Sequence, residues 1–478
     1  MNGWLIVHLA ALFGLGIYAG HRVVLTGLWW RVRKSAGKAR ELVGEAPRIT
    51  VQLPIFNERF VAERLLEAAA GLDWPAERLQ IQVLDDSTDD TVDVLRAACE
   101  RHRRAGVDIE YRHRGNRVGF KAGALEAGLA TASGEFILIL DADFLPPADL
   151  LQRMIPEMTD ARVGMVQVRW EHINRDYSLL TEVQALLLDG HFGIEQTTRA
   201  RTGRLFNFNG TAGMWRREAI ASSGGWQHDT LTEDLDLSYR ALLAGWEFRY
   251  LPNVVAPAEL PVPMSGFKSQ QFRWAKGSIQ VARKLLPRVL RDGRLSAAAR
   301  VEGFFHLTQN IPYLLTAVLA VTLVPALVIG PRPSGIGFAS LDVALLIGTV
   351  GTLAAYCASA EHSIGKSALA AVLRLPALIA ITVGISINQS RAVLEGAFGT
   401  SSPFVRTPKS GITSKKQRAP SRYRGKVGLI PLAEILLAGY FVLGAALAAH
   451  QGRYLALPAL AIFAIGFAYV GGRSALRR

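Results

Sequence analysis

Glu135-Phe136-Ile137-Leu138-Ile139-Leu140-Asp141-Ala142-Asp143 is an apolar run of strand length that stops on two carboxylates one residue apart. Burying an unpaired charge is very costly, so the two acids belong outside the core, at the strand's C-terminal end. That is the rim where open α/β sheets bind ligands. Two oxygen donors so close together suit a hard cation, Mg²⁺ or Mn²⁺, with positions left over for phosphate oxygens. The competing reading is a surface loop carrying two solvated acids. The tripeptide alone does not separate the two; its surroundings do.

Upstream of this strand the chain alternates strand and helix. Residues 49–56 read as a buried strand and 59–72 as an amphipathic helix with Leu65, Leu66 and Ala69 on its apolar face. Residues 79–84 form a second strand that runs into Asp85-Asp86-Ser87, followed by a helix over 90–105, a short strand over 107–111 and a helix over 119–132. Downstream, 162–170 is another strand. Strand–helix alternation needs crossover connections, so one parallel α/β sheet is expected. Two long helices come next, over 178–200 and 265–290, the second rich in Lys and Arg. Basic amphipathic helices of this kind lie in membrane interfaces, and an ordinary buried helix has the same pattern.

The 478 residues are 50% hydrophobic and 20% charged, but the apolar excess is confined to the N-terminus and to the part after about residue 300. A soluble domain set between membrane segments is the implied organisation. The net charge of +14 is also local: residues 31–40 carry five Lys/Arg and no acid, 283–300 six and one Asp, and 398–427 eight and no acid. The rest of the chain is net acidic. All three basic blocks adjoin apolar stretches, as juxtamembrane charge facing anionic lipid does. No nucleic-acid recognition motif accompanies them. The two cysteines, Cys99 and Cys357, exclude a disulfide framework and a thiolate zinc site.

The apolar stretch from Trp4 to Trp30 has no Lys or Arg before it and Arg31, Arg33, Lys34, Lys38 and Arg40 after it. That asymmetry reads as a signal anchor with its N-terminus outside, not a cleaved leader. Residues 304–329, 341–358, 428–449 and 453–472 are long enough to span. Residues 370–398 carry Arg374, Asn388, Gln389, Arg391 and Glu395, and as a span they would put the basic block 398–427 outside. They are read as an interfacial or re-entrant helix, leaving five spans, an external N-terminus, a cytosolic soluble domain and a cytosolic C-terminus.

Six polar sets fall at strand ends or helix starts: Asn57-Glu58, Asp85-Asp86-Ser87, Gly119-Phe-Lys121, Asp141-Ala-Asp143, Thr232-Glu233-Asp234 and Gln270-Gln-Phe-Arg273-Trp274. Singly, each has a plain explanation. Glu58, Asp86 and Asp234 suit helix starts, and Arg273 and Trp274 suit a lipid interface. Jointly they converge if a nucleotide sugar is held among them.

At these residues the chain resembles a processive family-2 glycosyltransferase of the cellulose synthase superfamily, closest to the cellulose-synthase-like A and C branches. The resemblance is carried by Leu53-Pro-Ile-Phe-Asn-Glu58, Gln82-Val-Leu-Asp-Asp-Ser-Thr88, Phe120-Lys-Ala-Gly-Ala-Leu125, Phe208-Asn-Gly-Thr-Ala-Gly213, Glu233-Asp-Leu-Asp236 and Gln270-Gln-Phe-Arg-Trp274. It implies an α/β GT-A (Rossmann-like) catalytic domain inserted between transmembrane helices, with amphipathic interfacial helices. The corresponding layout is an N-terminal span over 1–30, a basic linker over 31–47, the GT-A domain over 48–262 and interfacial helices over 263–300. Two spans over 301–360, an interfacial helix and gating loop over 361–427, and two spans over 428–478 complete it.

The resemblance also implies roles. Asp85 or Asp86, with Glu58, would bind the nucleoside, with Gln270 also on the donor. Asp141 and Asp143 would hold Mg²⁺ or Mn²⁺ against the diphosphate, with Lys121 and Arg273 adding positive charge. Asp234, beside Glu233, would take the acceptor's proton. Trp274 would face an acceptor sugar, with Phe208, Asn209, Gly210 and Thr211 beside it. Phe404-Val-Arg406-Thr407-Pro-Lys409 resembles a gating loop, F-x-V-T-x-K, with Arg406 where that pattern has Val. The implied donor is GDP-mannose or UDP-glucose, the acceptor a growing β-1,4-linked polysaccharide, the site a plasma or inner membrane with its lipids. A transferase adding one sugar to a lipid, and an inactive transferase-like scaffold, are the alternatives.

Overall fold

The structure is a computed structural model that describes residues 3–34, 44–329, 338–400, 407, 409–412, 417 and 428–476. Seven strands form one sheet in the order β3-β2-β1-β4-β6-β5-β7. They are β1 (Ile49–Ile55), β2 (Leu79–Asp85), β3 (Ile109–His113), β4 (Phe136–Ile139), β5 (Val163–His172), β6 (Gly213–Arg216) and β7 (Glu247–Ala258). Strand β1 shows why the sheet is covered on both faces. Ile49, Val51, Leu53 and Ile55 point into one apolar core. Thr50 and Gln52 point to the other face, where they pair with their registered neighbours Gln80 and Gln82 at 2.8 and 3.0 Å. Buried polar groups are tolerated because they are paired. The helix Phe120–Leu129 lies close over them: a Cβ on Gly128 would come within 2.5 Å of Gln52 Nε2.

The expectation of a wholly parallel sheet is corrected at one strand. Strand β6 runs antiparallel to both β4 and β5, and the other neighbouring pairs are parallel. Neither β6 nor β7 stands out in the sequence. Strand β6 has four residues, too few to show a period. Strand β7 contains Pro252 and Pro257 and lies at the sheet edge, where a missing N–H is tolerated.

Among the described residues, four helices are long and apolar enough to cross a membrane: Gly3–Val32, Ile311–Val328, Ile430–His450 and Tyr454–Ala475. The protein is a membrane protein. Phe338–Ser363 is also helical. The doubtful stretch is two helices, Ala368–Gly384 and Ser386–Phe398, bent by 48° and counting as a fifth candidate only if taken together. Its polar residues are met inside the protein. Asn388 and Gln389 donate to the Lys268 and Gln271 carbonyls of the helix Met264–Arg291, and Glu395 pairs with Lys276 of that same helix. The expected single helix over 178–200 is continuous but changes pitch: α over Leu179–Asp189, π over Gly190–Gln196 and α again over Thr197–Arg201.

Candidate active site

Strand β4 lies in the middle of the sheet, so Asp141 and Asp143 emerge at the centre of the sheet's C-terminal edge. One cleft opens there. Of the residues singled out in the sequence it gathers Glu58, Asp86, Lys121, Asp141, Asp143, Asn209, Gly210, Glu233, Asp234, Gln270, Arg273, Trp274, Thr407 and Lys409.

Both acids after β4 face a cation. Lys121 Nζ lies 2.5 Å from Asp141 Oδ1 and donates to the Gly210 carbonyl at 2.9 Å. Lys409 Nζ lies 2.6 Å from Asp143 Oδ2 and donates to the Glu259 carbonyl at 2.9 Å. Burial opposes the charge on each lysine, but the carboxylates outweigh it and raise both ammonium pKa values: Asp141 and Glu233 for Lys121, Asp143 for Lys409. Arg273 donates to Thr407 Oγ1 at 2.9 Å. Thus Thr407 and Lys409 are both seated in the cleft.

Asp234 and Glu233 open the helix Glu233–Ala244. Burial, and then the adjacent Glu233 carboxylate, push Asp234 up to about 7; burial raises Glu233 as well. A carboxylate tuned near neutrality is suited to accept a proton at ordinary pH. Opposite it, Gly210 has φ +82°, and a Cβ there would stand 3.1 Å from Asp234 Oδ2 and 3.6 Å from Lys121 Nζ. Both the left-handed backbone and the close approach require glycine.

Three residues expected at the cleft do not line it. Asp85 ends a fully buried strand and is itself buried, accepting from the Ser87 N–H and the Tyr111 hydroxyl at 2.8 Å each. Asp86 is the acid that lines the cleft, clasped by Arg114 Nε and Nη2 at 2.7 and 2.5 Å. Phe208 is fully buried between the Trp215 and Trp226 rings, so it offers no face to a sugar. Thr211 is buried and accepts from the Asp141 N–H at 2.8 Å; it orients the loop from behind. Phe404 lies outside the described residues.

The cleft also contains residues that sequence reasoning passed over. Trp170 and His172 come from the end of β5 and Glu259 from just after β7. The strand-end rule that singled out Asp141 applies equally to Trp170 and His172; Glu259 had no such signal, because β7 had none. Burial, with the charge of Arg175, pushes His172 down to about 3, so it is neutral. Arg117 stacks its guanidinium 3.3 Å from the Phe56 ring centroid and lines the cleft with it.

The cleft fits a hard divalent cation in one specific way. Two carboxylates one residue apart each hold an ammonium here, so the position demands positive charge. The described residues contain no group of three or more His, Cys, Asp or Glu able to hold a metal. An ion there would complete its shell with water and ligand phosphates, as Mg²⁺ commonly does.

A mostly parallel sheet with paired acids after its central strand, faced by an acidic helix start, defines the GT-A class of glycosyltransferase fold. The chain belongs to the family-2 glycosyltransferases: residues 47–277 match the family described as "Glycosyltransferase like family 2". It is 33% identical over 444 residues to glucomannan 4-beta-mannosyltransferase 7 of Arabidopsis thaliana, covering 89% of this chain and 77% of that protein. It is 39% identical over 331 residues to glucomannan 4-beta-mannosyltransferase 2 of the same plant, covering 66% of this chain and 62% of that protein. Among solved structures, a mannosyltransferase from Pyrobaculum calidifontis in complex with GDP-Man and Mn²⁺ shares the fold, with a TM-score of 0.52, 23% identity, and coverage of 74% of this chain and 97% of that one.

Proposed function

We propose that this protein is a processive, inverting glycan synthase that transfers mannosyl units from GDP-mannose onto a growing β-1,4-linked mannan or glucomannan and passes the chain through the membrane. The observation that carries the reading is the placement of a near-neutral Asp234 in one cleft with the Lys121–Asp141 pair and Arg273. An acceptor hydroxyl attacks the anomeric carbon while the bond to the diphosphate oxygen breaks. Asp234 takes the hydroxyl proton, and the charge left on the diphosphate faces Lys121 and Arg273. Asp141 and Asp143 would hold Mg²⁺ or Mn²⁺, which when bound supplies further charge neutralisation for the leaving group. One direct displacement inverts the anomeric centre, so an α-linked donor yields a β-glycoside.

Glu58 and Asp86, which line the cleft, are assigned to the nucleoside, Asp86 being held by Arg114. Trp274 offers a flat ring to the acceptor. The names of the plant relatives support a mannosyl donor and a 4-linked product. The basic blocks beside the apolar helices support a cytosolic cleft and an external N-terminus.

The test is to incubate detergent-solubilised protein with radiolabelled GDP-mannose or UDP-glucose and digest the product with a β-mannanase or a cellulase. The expected result is GDP release with a β-mannanase-sensitive polymer that lengthens with time. A single sugar on a lipid, or no turnover with either donor, rejects the proposal. A cellulase-sensitive product from UDP-glucose alone reassigns the donor.

A further inference from the structure

The π-helical turn Gly190–Gln196 interrupts an otherwise α-helical run beside the cleft. Such turns are rare and concentrate at functional sites. This one presents His191 and Glu195 together: His191 Nδ1 is 3.3 Å from Glu195 Oε2, and His191 Nε2 is 2.9 Å from Asn209 Oδ1. Neither His191 nor Glu195 takes part in the displacement at the anomeric carbon.

Glu195 is anchored from behind. The Tyr356 hydroxyl donates to its Oε1 at 2.9 Å, and Arg199 Nη2 stands 3.3 Å from its Oε2. Burial works against ionisation of Glu195, but the Arg199 guanidinium outweighs it and holds the carboxyl well below the usual range. Arg199 in turn pairs with Glu302, and Glu302 with His21 of the helix Gly3–Val32. The turn is also packed backbone-close on the helix Phe338–Ser363. A Cβ on Gly190 would come within 2.4 Å of the Tyr356 ring, and one on Gly193 within 2.5 Å of Ser363 Oγ. The two glycines therefore let the backbone of the turn sit directly against that helix.

Asn209, at the other end of the bridge, lines the cleft. Its N–H donates to Gln167 Oε1 at 3.0 Å, and its neighbour Gly210 sits against Asp234 and Lys121. An amide bridged on its Oδ1 presents one orientation instead of two. We infer that His191 is a positioning residue for the acceptor: bridging Glu195 and Asn209, it holds the Asn209 amide where a sugar hydroxyl meets Asp234. This rests on the transferase reading above. The ligand class is the hydroxyl-bearing end of a glycan, and the effect is orientation of the attacking group, on which transfer rates depend steeply.

The experiment measures two fates of the donor in the same samples, elongation of the glycan and hydrolysis to free sugar and GDP, with donor affinity by calorimetry. His191→Ala is expected to lower elongation by about tenfold or more, with hydrolysis and donor affinity within about twofold of wild type. If His191 acts through Asn209, the double variant H191A/N209A is no worse than N209A, because coupled residues are not additive. His191→Gln, which keeps a bridging group, recovers part of the elongation. The inference is overturned if hydrolysis falls in parallel with elongation, or if the effects of H191A and N209A multiply. Loss of donor binding in both H191A and the milder Tyr356→Phe marks a merely structural role and overturns it too. Wild-type protein that hydrolyses GDP-mannose but never elongates a chain overturns the functional reading and this inference with it.

Discussion

Asp234 begins a helix, where the dipole favours the ionised form, yet burial and Glu233 hold it near neutrality. Asp234→Asn keeps the shape but cannot accept a proton, so donor affinity by calorimetry should persist while transfer falls below detection; near-normal turnover would remove Asp234 from the role of base. The pH dependence has a definite sign. A base works deprotonated, and a carboxyl raised to about 7 is mostly protonated in mild acid, so kcat should fall by about tenfold per pH unit below about 7 and level off above it. A flat profile between mild acid and neutrality would contradict the raised value. The acids of the site are legible in the sequence only jointly: each alone suits a helix start or a solvated loop, and it is their recurrence at successive strand ends and helix starts that singles them out. Which of two adjacent acids faces the cleft is not legible. Asp85 and Asp86 differ by one residue, and only the structure shows Tyr111 and the Ser87 N–H claiming the first. His191 is invisible for another reason: its partners, Glu195 apart, are distant in sequence, and the π turn that presents it has no spacing signature.

Among the elements, the parallel half of the sheet is legible because β1, β2 and β4 are apolar runs closed by polar punctuation. The antiparallel β6 is hidden by its length and β7 by its prolines. The bend between Ala368–Gly384 and Ser386–Phe398 is half legible: the polar residues argue against a plain span, but their partners on Met264–Arg291 cannot be read from the chain. Packing between the apolar helices is tighter than any hydropathy pattern shows. A Cβ on Gly466 would come within 2.2 Å of the Ala380 carbonyl, and one on Gly384 within 2.4 Å of the Gly466 carbonyl. Small residues let membrane helices approach this closely. Gly466→Val should therefore cost about 1–3 kcal/mol or more through overpacking, seen as a lower Tm in detergent. Gly20→Ala, with nothing within 4 Å, is the control that should not lower it. Equal Tm values for the two variants would mean that the helices do not cross here.

Across the whole molecule, the candidate cleft and the apolar helices are joined by the helix Met264–Arg291. It carries Gln270, Arg273 and Trp274 into the cleft, and two residues before Gln270 it carries Lys268. Lys268 Nζ pairs with both Glu434 oxygens at 2.6 and 2.9 Å, and Glu434, on Ile430–His450, is fully buried. Removing one partner of a buried pair strands the other, at about 3–5 kcal/mol. Glu434→Ala should thus lower thermal stability sharply, whereas K268M/E434L, which removes both charges, should recover most of it. An unchanged Tm in E434A would show that the pair does not hold the helix to the bundle.

The two lysines on Asp141 and Asp143 bear on the order in which the enzyme is loaded. A bare cation gains little there, because it must compete with an ammonium already paired to each carboxylate. Arriving with a diphosphate, it brings oxygens to which Lys121 and Lys409 can transfer their bonds. Calorimetric titration with Mn²⁺ should accordingly give weak binding alone and tight binding once GDP is present, and Lys409→Ala should narrow that gap by strengthening the first. Tight binding of Mn²⁺ alone to the wild-type protein would contradict it. With each carboxylate already paired to a lysine, the divalent ion and the diphosphate are expected to enter this cleft together, each supplying the charge that the other needs.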